Sequence, residues 1–136
     1  MDLVNAIKIS ASGMRAQGTR LRVVAENVAN AESVGNKPGD SPYRRKTITF
    51  DNILDRDMNA DLVKVSKIGR DTSDFSTVYD PHHPLADANG YVKMPNVNAL
   101  VELTDMREAE RSYEANLSVI ESSKTLIQRT IDLLRA

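Results

Sequence analysis

The feature that most constrains this chain is a long proline-free segment at each end, with apolar residues spaced alternately three and four apart. This spacing lines one side of an α-helix with apolar side chains and is typical of helices that pack on other helices. We expect one helix in residues 1–31 and another in residues 96–136, with all five prolines in the segment 32–95 between them. The sequence therefore predicts a mainly α fold with a small β insert, in which the two long terminal helices form a coiled-coil-like pair.

The N-terminal segment carries two interleaved rows that each repeat every seven residues. One row is Val4, Ala11, Gly18 and Ala25, and the other is Ile7, Met14, Leu21 and Val28. Small residues in the first row favour close approach of a neighbouring helix, which would offset the roughly 1 kcal/mol that Gly18 costs relative to alanine. The helix should end near Asn30, because Gly35 and Pro38 follow soon afterwards. Asn27 shares a face with Asn30, and we expect this face to contact a neighbouring subunit or the following turn; alternatively Asn30 simply ends the helix in a left-handed conformation.

The C-terminal segment carries a longer stripe. Its apolar members are Leu103, Met106, Tyr113, Leu117, Ile120, Ile127, Ile131 and Leu134, and Glu110 and Lys124 occupy the two missing places. Asn96 follows Pro95 and is a candidate N-cap. A helix over residues 97–134 would be roughly 57 Å long. It would be far longer than the helices of globular proteins, which average about 11–12 residues.

The middle of the chain reads as a loop followed by short strands. Polar and apolar residues alternate in segments 46–50 and 61–68, and shorter strands are predicted at 77–79 and 91–94. Loop residues surround each of them. We expect a β-rich insert over residues 43–95 with a thin core.

Two helices and a small insert cannot cover both apolar stripes, so we expect copies of the chain to cover them for one another. Polar residues at seam positions can set the register of packed helices, and Glu110 and Lys124 either do this or lie at a solvated edge. Tyr113 and Asn116, three apart, either meet a neighbouring helix or leave Tyr113 as an ordinary stripe residue. The predicted subunit interface comprises Ile7, Met14, Gly18, Leu21, Asn27, Val28, Asn30, Leu103, Met106, Glu110, Tyr113, Asn116, Leu117, Ile120, Lys124, Ile127, Ile131 and Leu134.

Composition argues against several other classes of protein. The absence of cysteine excludes disulfides and thiolate metal sites, and a formal net charge of −1 disfavours nucleic-acid binding. No apolar run approaches the roughly 20 residues that span a bilayer, and the first thirty residues lack a run of signal-peptide length. The triplet at 44–46 is basic, and acidic neighbours make it a solvated face or a charge partner for another subunit. No catalytic motif appears, so we expect neither an enzyme nor a cofactor.

Two alternatives remain open from the residues. The terminal helices could close into a discrete oligomer, which would make the chain a soluble coiled-coil adaptor. A metal-dependent enzyme would use His82 and His83 with Asp80 and Asp87, but adjacent side chains on an extended segment point to opposite faces. A proline-stiffened packing loop is the simpler interpretation of this cluster.

Three stretches resemble the flagellar rod and hook axial proteins. These are residues 27–33 (NVANAES), residues 108–116 (EAERSYEAN) and residues 79–98, from Tyr79-Asp80-Pro81 to Pro95-Asn96-Val97-Asn98. The last stretch and the short insert are similar to those of the proximal-rod members, since hook and distal-rod members carry larger inserts. The chain departs from the commoner family pattern between Gly35 and Tyr43, where seven residues separate two positions that are usually adjacent.

The resemblance implies a structural subunit that assembles helically and transmits motor torque to the hook. Its partners would be other copies of itself, the other proximal-rod proteins, the export-gate adaptor beneath them and the distal rod above. It would reach the rod in the periplasm through the flagellar type III export apparatus, largely unfolded and without a cleaved signal peptide. Its terminal helices would then order as it joins the rod. Neither nucleic acid binding nor direct membrane insertion is expected.

Overall fold

The computed structural model describes residues 2–136. Helix α1 is followed by two β-hairpins and a second, longer helix, in agreement with the predicted mainly α fold with a small β insert. The elements are α1 Leu3–Ala29, β1 Lys46–Asp55, β2 Ala60–Arg70, β3 Ser76–Tyr79, β4 Tyr91–Met94 and α2 Ala99–Arg135. All four predicted strands are present, and β1 continues five residues beyond its predicted end at residue 50.

The ends of both helices are fixed by side-chain hydrogen bonds. Asp2 caps α1 by accepting from the Val4 amide at 3.2 Å. Asn30 ends α1 by donating its Nδ2 to the Glu26 carbonyl at 2.8 Å, but its φ of −107° lies outside the left-handed region. The N-cap of α2 is Asn98 and not Asn96, because the Asn96 side chain is occupied by contacts with the insert.

Each hairpin is a separate two-stranded antiparallel sheet. The ladder between β1 and β2 shifts register after Thr49, and the shift leaves Ser66 without a partner. The loop between β3 and β4 closes at Gly90, whose φ of 83° favours glycine. A Cβ at Gly90 would also come within 2.9 Å of the Tyr79 ring. This glycine therefore sets how tightly the second hairpin turns.

Helix α1 lies between α2 and the first hairpin. It contacts both strands of that hairpin, and the Ser12 hydroxyl accepts the Val63 amide of β2 at 3.2 Å. The buried apolar residues are few and small, as expected of a thin core: Ala16, Val23, Val24, Val92 and Ala109. Neither helix of the described part of the chain has the length and apolar character needed to cross a membrane.

The extra residues before the insert form a side loop. The Tyr43 amide donates to the Ser33 carbonyl at 2.9 Å, so the loop closes at its base. Within it, the Asp40 carboxylate accepts the Lys37 amide at 3.1 Å. Tyr43 therefore starts the insert close to the end of α1 despite the longer connection.

Candidate subunit interface

The two helices run antiparallel and meet along one seam. A Cβ added to Gly13 would lie 2.8 Å from Asn116 Nδ2, so this glycine makes room for the Asn116 side chain. About two turns further along α1, the Arg20 guanidinium pairs with the Asp105 carboxylate, with a nitrogen–oxygen distance of 2.7 Å. Asn27 then reaches Glu102 at 3.1 Å, so residues pair across the seam in a nearly constant register.

The seam is filled by small and polar side chains. Ser10, Val24, Ala109 and Ser123 are all buried along it. Gln17 Oε1 is also buried and finds no hydrogen-bond donor among residues 2–136. The larger apolar side chains beside the seam are only half-buried, so the pairing of the helices within one chain leaves part of their apolar surface uncovered.

The predicted stripe of α1 lies along one edge of this seam. Met14 and Val28 follow the buried seam residues Ser10 and Val24 by four positions, which is about 40° round the helix. All four members of the stripe, Ile7, Met14, Leu21 and Val28, are half-buried. Gly18 is also half-buried, but an added Cβ there would meet nothing within 4 Å. The neighbour that this glycine was expected to accommodate is therefore not part of the same chain.

The predicted stripe of α2 divides into two groups. Met106, Tyr113, Asn116, Ile120 and Ile127 are half-buried next to α1. The other members are exposed: Leu103, Glu110, Leu117, Lys124, Ile131 and Leu134. Two of the exposed members are leucines on one flank, and the last two lie near the C-terminal end of the helix.

The end of α2 projects beyond α1. The register of Gly13 with Asn116 and Asn27 with Glu102 places the first residue of α1, Leu3, opposite residues near 126. The remaining turns of α2 have no partner helix within residues 2–136. There Ile131, Leu133 and Leu134 expose 39%, 77% and 82% of their surface.

Asn27, predicted at the interface, uses its whole hydrogen-bonding capacity inside the chain. Its Nδ2 donates to the Lys46 carbonyl at 2.9 Å and to Glu102 at 3.1 Å. Its Oδ1 accepts from the Lys46 amide and from the Tyr43 hydroxyl, both at 2.9 Å. With 1% of its surface exposed, Asn27 joins α1, the start of the insert and α2.

Glu102 is the charged member of this buried cluster. Its side chain is fully buried, and one oxygen binds the Arg45 guanidinium while the other accepts from Asn27. Arg45 also lies 3.7 Å from Asp71. A buried carboxylate that keeps both a cation and an amide donor is stable only in this arrangement, so the cluster specifies how the three parts of the chain meet.

The basic triplet at 44–46 makes its contacts within the chain, unlike the predicted solvated or intersubunit face. Lys46 pairs with Glu26, and this ammonium holds the pKa of the Glu26 carboxyl below its usual range. Arg44 donates to the Asp71 carbonyl at 2.7 Å. Hydrogen bonds from Ser73 lower the pKa of Asp71, and burial raises the pKa of Tyr43.

The histidine-containing loop folds as a turn. The Leu85 amide donates to His83 Nδ1 at 3.1 Å, while His82 is exposed. Asp80 and Asp87 accept from backbone amides of their own turns. Across residues 2–136 no group of three or more potential ligands is placed to hold a metal ion.

Sequence reasoning missed Tyr43, Arg45 and Glu102 as members of the cluster around Asn27. Together with Asn27 they come from three separate segments, and a hydrogen-bonded cluster has no periodicity that a sequence pattern could reveal. A single clue was available, since Glu102 lies near the start of the predicted second helix and in the first turn of α2, where a carboxylate is favoured.

Comparison with known proteins shows one family. Residues 88–133 match the model described as flagellar basal body rod FlgEFG protein C-terminal. The flagellar basal-body rod protein FlgC of Agrobacterium fabrum is 57% identical, over 100% of this chain and 99% of its own length. FlgC of Salmonella typhimurium is 41% identical over 98% of both chains, and FlgC of Bacillus subtilis is 37% identical over 98% of this chain and 99% of its own.

Proposed function

The chain belongs to the FlgC family of flagellar basal-body rod proteins and is a structural subunit of the rod, and we propose that it assembles helically through its two terminal helices in the proximal rod. The proposed neighbours are other copies of the chain, the other proximal-rod proteins, the export-gate adaptor and the distal rod. In this position the subunit passes motor torque to the hook.

The observation that carries the proposal is the uncovered apolar surface of α2. Leu133 and Leu134 are 77% and 82% exposed at its projecting end, and Leu103 and Leu117 are exposed on one flank. Burying such side chains gives about 25 cal/mol per Å² of apolar surface. A neighbouring subunit that covers the projecting turns would supply stability that the isolated chain lacks.

The polar seam supports the proposal that the terminal helices order during assembly. Helices gain little from propensity alone and depend on packing, and here the packing within one chain rests on small and polar residues. A chain of this kind can pass through the type III export apparatus largely unfolded. Its helices then become fully ordered, the projecting turns of α2 last, as neighbouring subunits supply the missing contacts, which couples folding to binding.

Torque transmission follows from the same contacts. A rod that turns without twisting apart needs subunits with many packed helix contacts, and long helices provide them over their full length. The Asn27–Glu102 cluster adds a fixed joint between the helix pair and the insert. This joint would hold the insert rigidly on the surface of the helix pair.

Removal of residues 127–136 tests the proposal. In cells that lack their own copy of the gene, the full chain should restore motility and appear in purified basal bodies. The shortened chain should retain the helix pair, because α1 begins opposite residues near 126, yet be absent from basal bodies. Circular dichroism of the purified shortened chain serves as the control for its folding.

Two results would contradict the proposal. Shortened chains that enter basal bodies normally would show that the projecting end of α2 is not an assembly contact. A full-length chain that forms only a discrete closed oligomer by light scattering, and is missing from basal bodies, would favour the coiled-coil adaptor instead.

A further inference from the structure

The side of α1 that faces away from α2 carries a row of positive charge. Lys8, Arg15 and Arg22 recur every seven residues, and all three are exposed. Arg15 and Arg22 follow Gly13 and Arg20, which face α2, by two positions, or about 200° round the helix. None of the three makes an ion pair with another described residue.

A row of small residues runs beside this positive row. It contains Ala11, Gly18 and Ala25, and nothing lies within 4 Å of a Cβ built on Gly18. Glu26, four positions after Arg22, is engaged first by Lys46 and is also attracted by Arg22, so it offsets part of the positive charge at this end of the row. Together, Lys8, Arg15, Arg22, Ala11, Gly18 and Ala25 form the basic face of α1.

One flank of α2 has the complementary character. Glu110, Glu114 and Glu121 are exposed there, and none of these carboxylates forms an ion pair within the described chain. Leu103 and Leu117 lie among them with 46% and 38% of their surface exposed. Arg107 and Lys124 are the cations on this flank, and against the three glutamates negative charge remains in excess by one. Leu103, Glu110, Glu114, Leu117 and Glu121 form the acidic face of α2.

We propose that the acidic face of α2 docks on the basic face of α1 of a second copy of this chain. This rests on the proposed function, because it names the surfaces by which rod subunits join. The two faces lie on different sides of the molecule, so each copy has one free face of each kind. Such a heterologous contact extends into an open assembly unless its rotation closes a ring.

The spacing of the charges suits this contact. Copies in a helical assembly share one polarity, and α1 and α2 are antiparallel within each copy, so the two docked helices are antiparallel as well. Glu114 and Glu121 are seven residues apart, as are Lys8 and Arg15, and Arg15 and Arg22. Two charge pairs, Glu121 with Arg15 and Glu114 with Arg22, can therefore form in one register, which places Leu117 beside Gly18 in the row of small residues.

Charge complementarity fixes partner and orientation more than it adds affinity, since exposed ion pairs are individually weak. Reversed charges on one face would instead oppose like charges on the other. We expect a change of two charges on either face to weaken self-association by about tenfold or more.

Charge exchange tests the proposal on the full chain. Self-association is measured by sedimentation for the wild type, for R15E/R22E, for E114R/E121R and for the chain that carries all four substitutions. Each pair alone should weaken association, and the fourfold variant should recover it to within about threefold of the wild type. R56E/D57R, at the exposed turn of the first hairpin, is a matched control that should associate like the wild type.

The outcomes separate this proposal from the broader function. A fourfold variant as weak as either pair, pairs that associate normally, or a wild type that stays monomeric at millimolar concentration would each overturn the docking of these two faces. The presence of the wild-type chain in basal bodies would still support a rod subunit. If a reversal variant loses its helical signal in circular dichroism, R15Q/R22Q replaces it in the experiment. This variant should remove most of the salt dependence of self-association. Unchanged salt dependence would overturn the proposal.

Discussion

At the scale of single residues, stability depends on a few fully satisfied polar groups. Asn27 makes four hydrogen bonds and Glu102 pairs with Arg45, both at buried positions. A buried amide or carboxylate that lost these partners would destabilise the fold by more than the partners contribute when present. The cluster therefore acts mainly by excluding other arrangements of the insert relative to the helices.

The ion pair between Glu26 and Lys46 makes stability depend on pH. Because its partner lowers the pKa of Glu26 below the ordinary value of 4.5, the carboxylate stabilises the folded state at pH values above 4.5. This contribution is lost as the pH falls through the lowered pKa of the folded state. We expect the melting temperature of the wild type to fall between pH 6 and pH 3, and Glu26→Gln to reduce this fall.

Thermal melts across this pH range measure the effect. Glu32→Gln is the matched control, since Glu32 is exposed and makes no ion pair among residues 2–136. Glu32→Gln should show the same fall in melting temperature between pH 6 and pH 3 as the wild type. Equal pH profiles for Glu26→Gln and the wild type would show that the pair contributes nothing to folding.

At the scale of elements, periodicity predicted both helices but only part of the side on which they meet. The apolar rows that contain Leu21 and Leu103 were interpreted as the seam, yet the seam is built from residues such as Gly13, Ala109 and Ser123. Small and polar residues carry no hydrophobic period, so the pattern could not reveal them. The pattern did find the row of Met106 and Ile120, which lies next to α1, while the row of Leu103 and Leu117 is exposed beside the seam.

Gly13 and Gly18 should respond differently to alanine because they face different sides of α1. Gly18→Ala has open space around it and should stabilise the isolated chain by up to about 1 kcal/mol. Gly13→Ala would place its Cβ 2.8 Å from Asn116 Nδ2, so the gain in helix propensity should be cancelled or reversed. Urea unfolding of both variants measures the difference.

A double variant checks the cause of that difference. Gly13→Ala combined with Asn116→Ala removes the obstructing amide, and it should be more stable than the sum of the two single changes implies. Equal stabilisation by both glycine substitutions would mean that the helices are not in close contact at Gly13.

At the scale of the whole molecule, the contacts are unevenly distributed along the helix pair. One end holds the Asn27–Glu102 cluster, the start of the insert and the loop that returns to Tyr43. The opposite end holds the first turn of α1 and the projecting end of α2, where Leu133 and Leu134 are exposed. The general layout followed from the sequence, but this gradient depends on long-range hydrogen bonds between residues 27, 43 and 102.

Hydrogen exchange of the isolated chain should follow this gradient, because backbone amides exchange through local opening and opening is easiest where few contacts oppose it. We expect the slowest amides near residues 23–27 and 102–109 and the fastest beyond residue 127. Asn27→Ala should accelerate exchange most strongly at the slow end, since the lost hydrogen bonds cost about 1–3 kcal/mol. Asn36→Ala, in the exposed side loop, is the control and should change only its neighbours. Uniform protection along α2 in dilute monomer would contradict the gradient, because it would show that the projecting turns are already supported without another subunit.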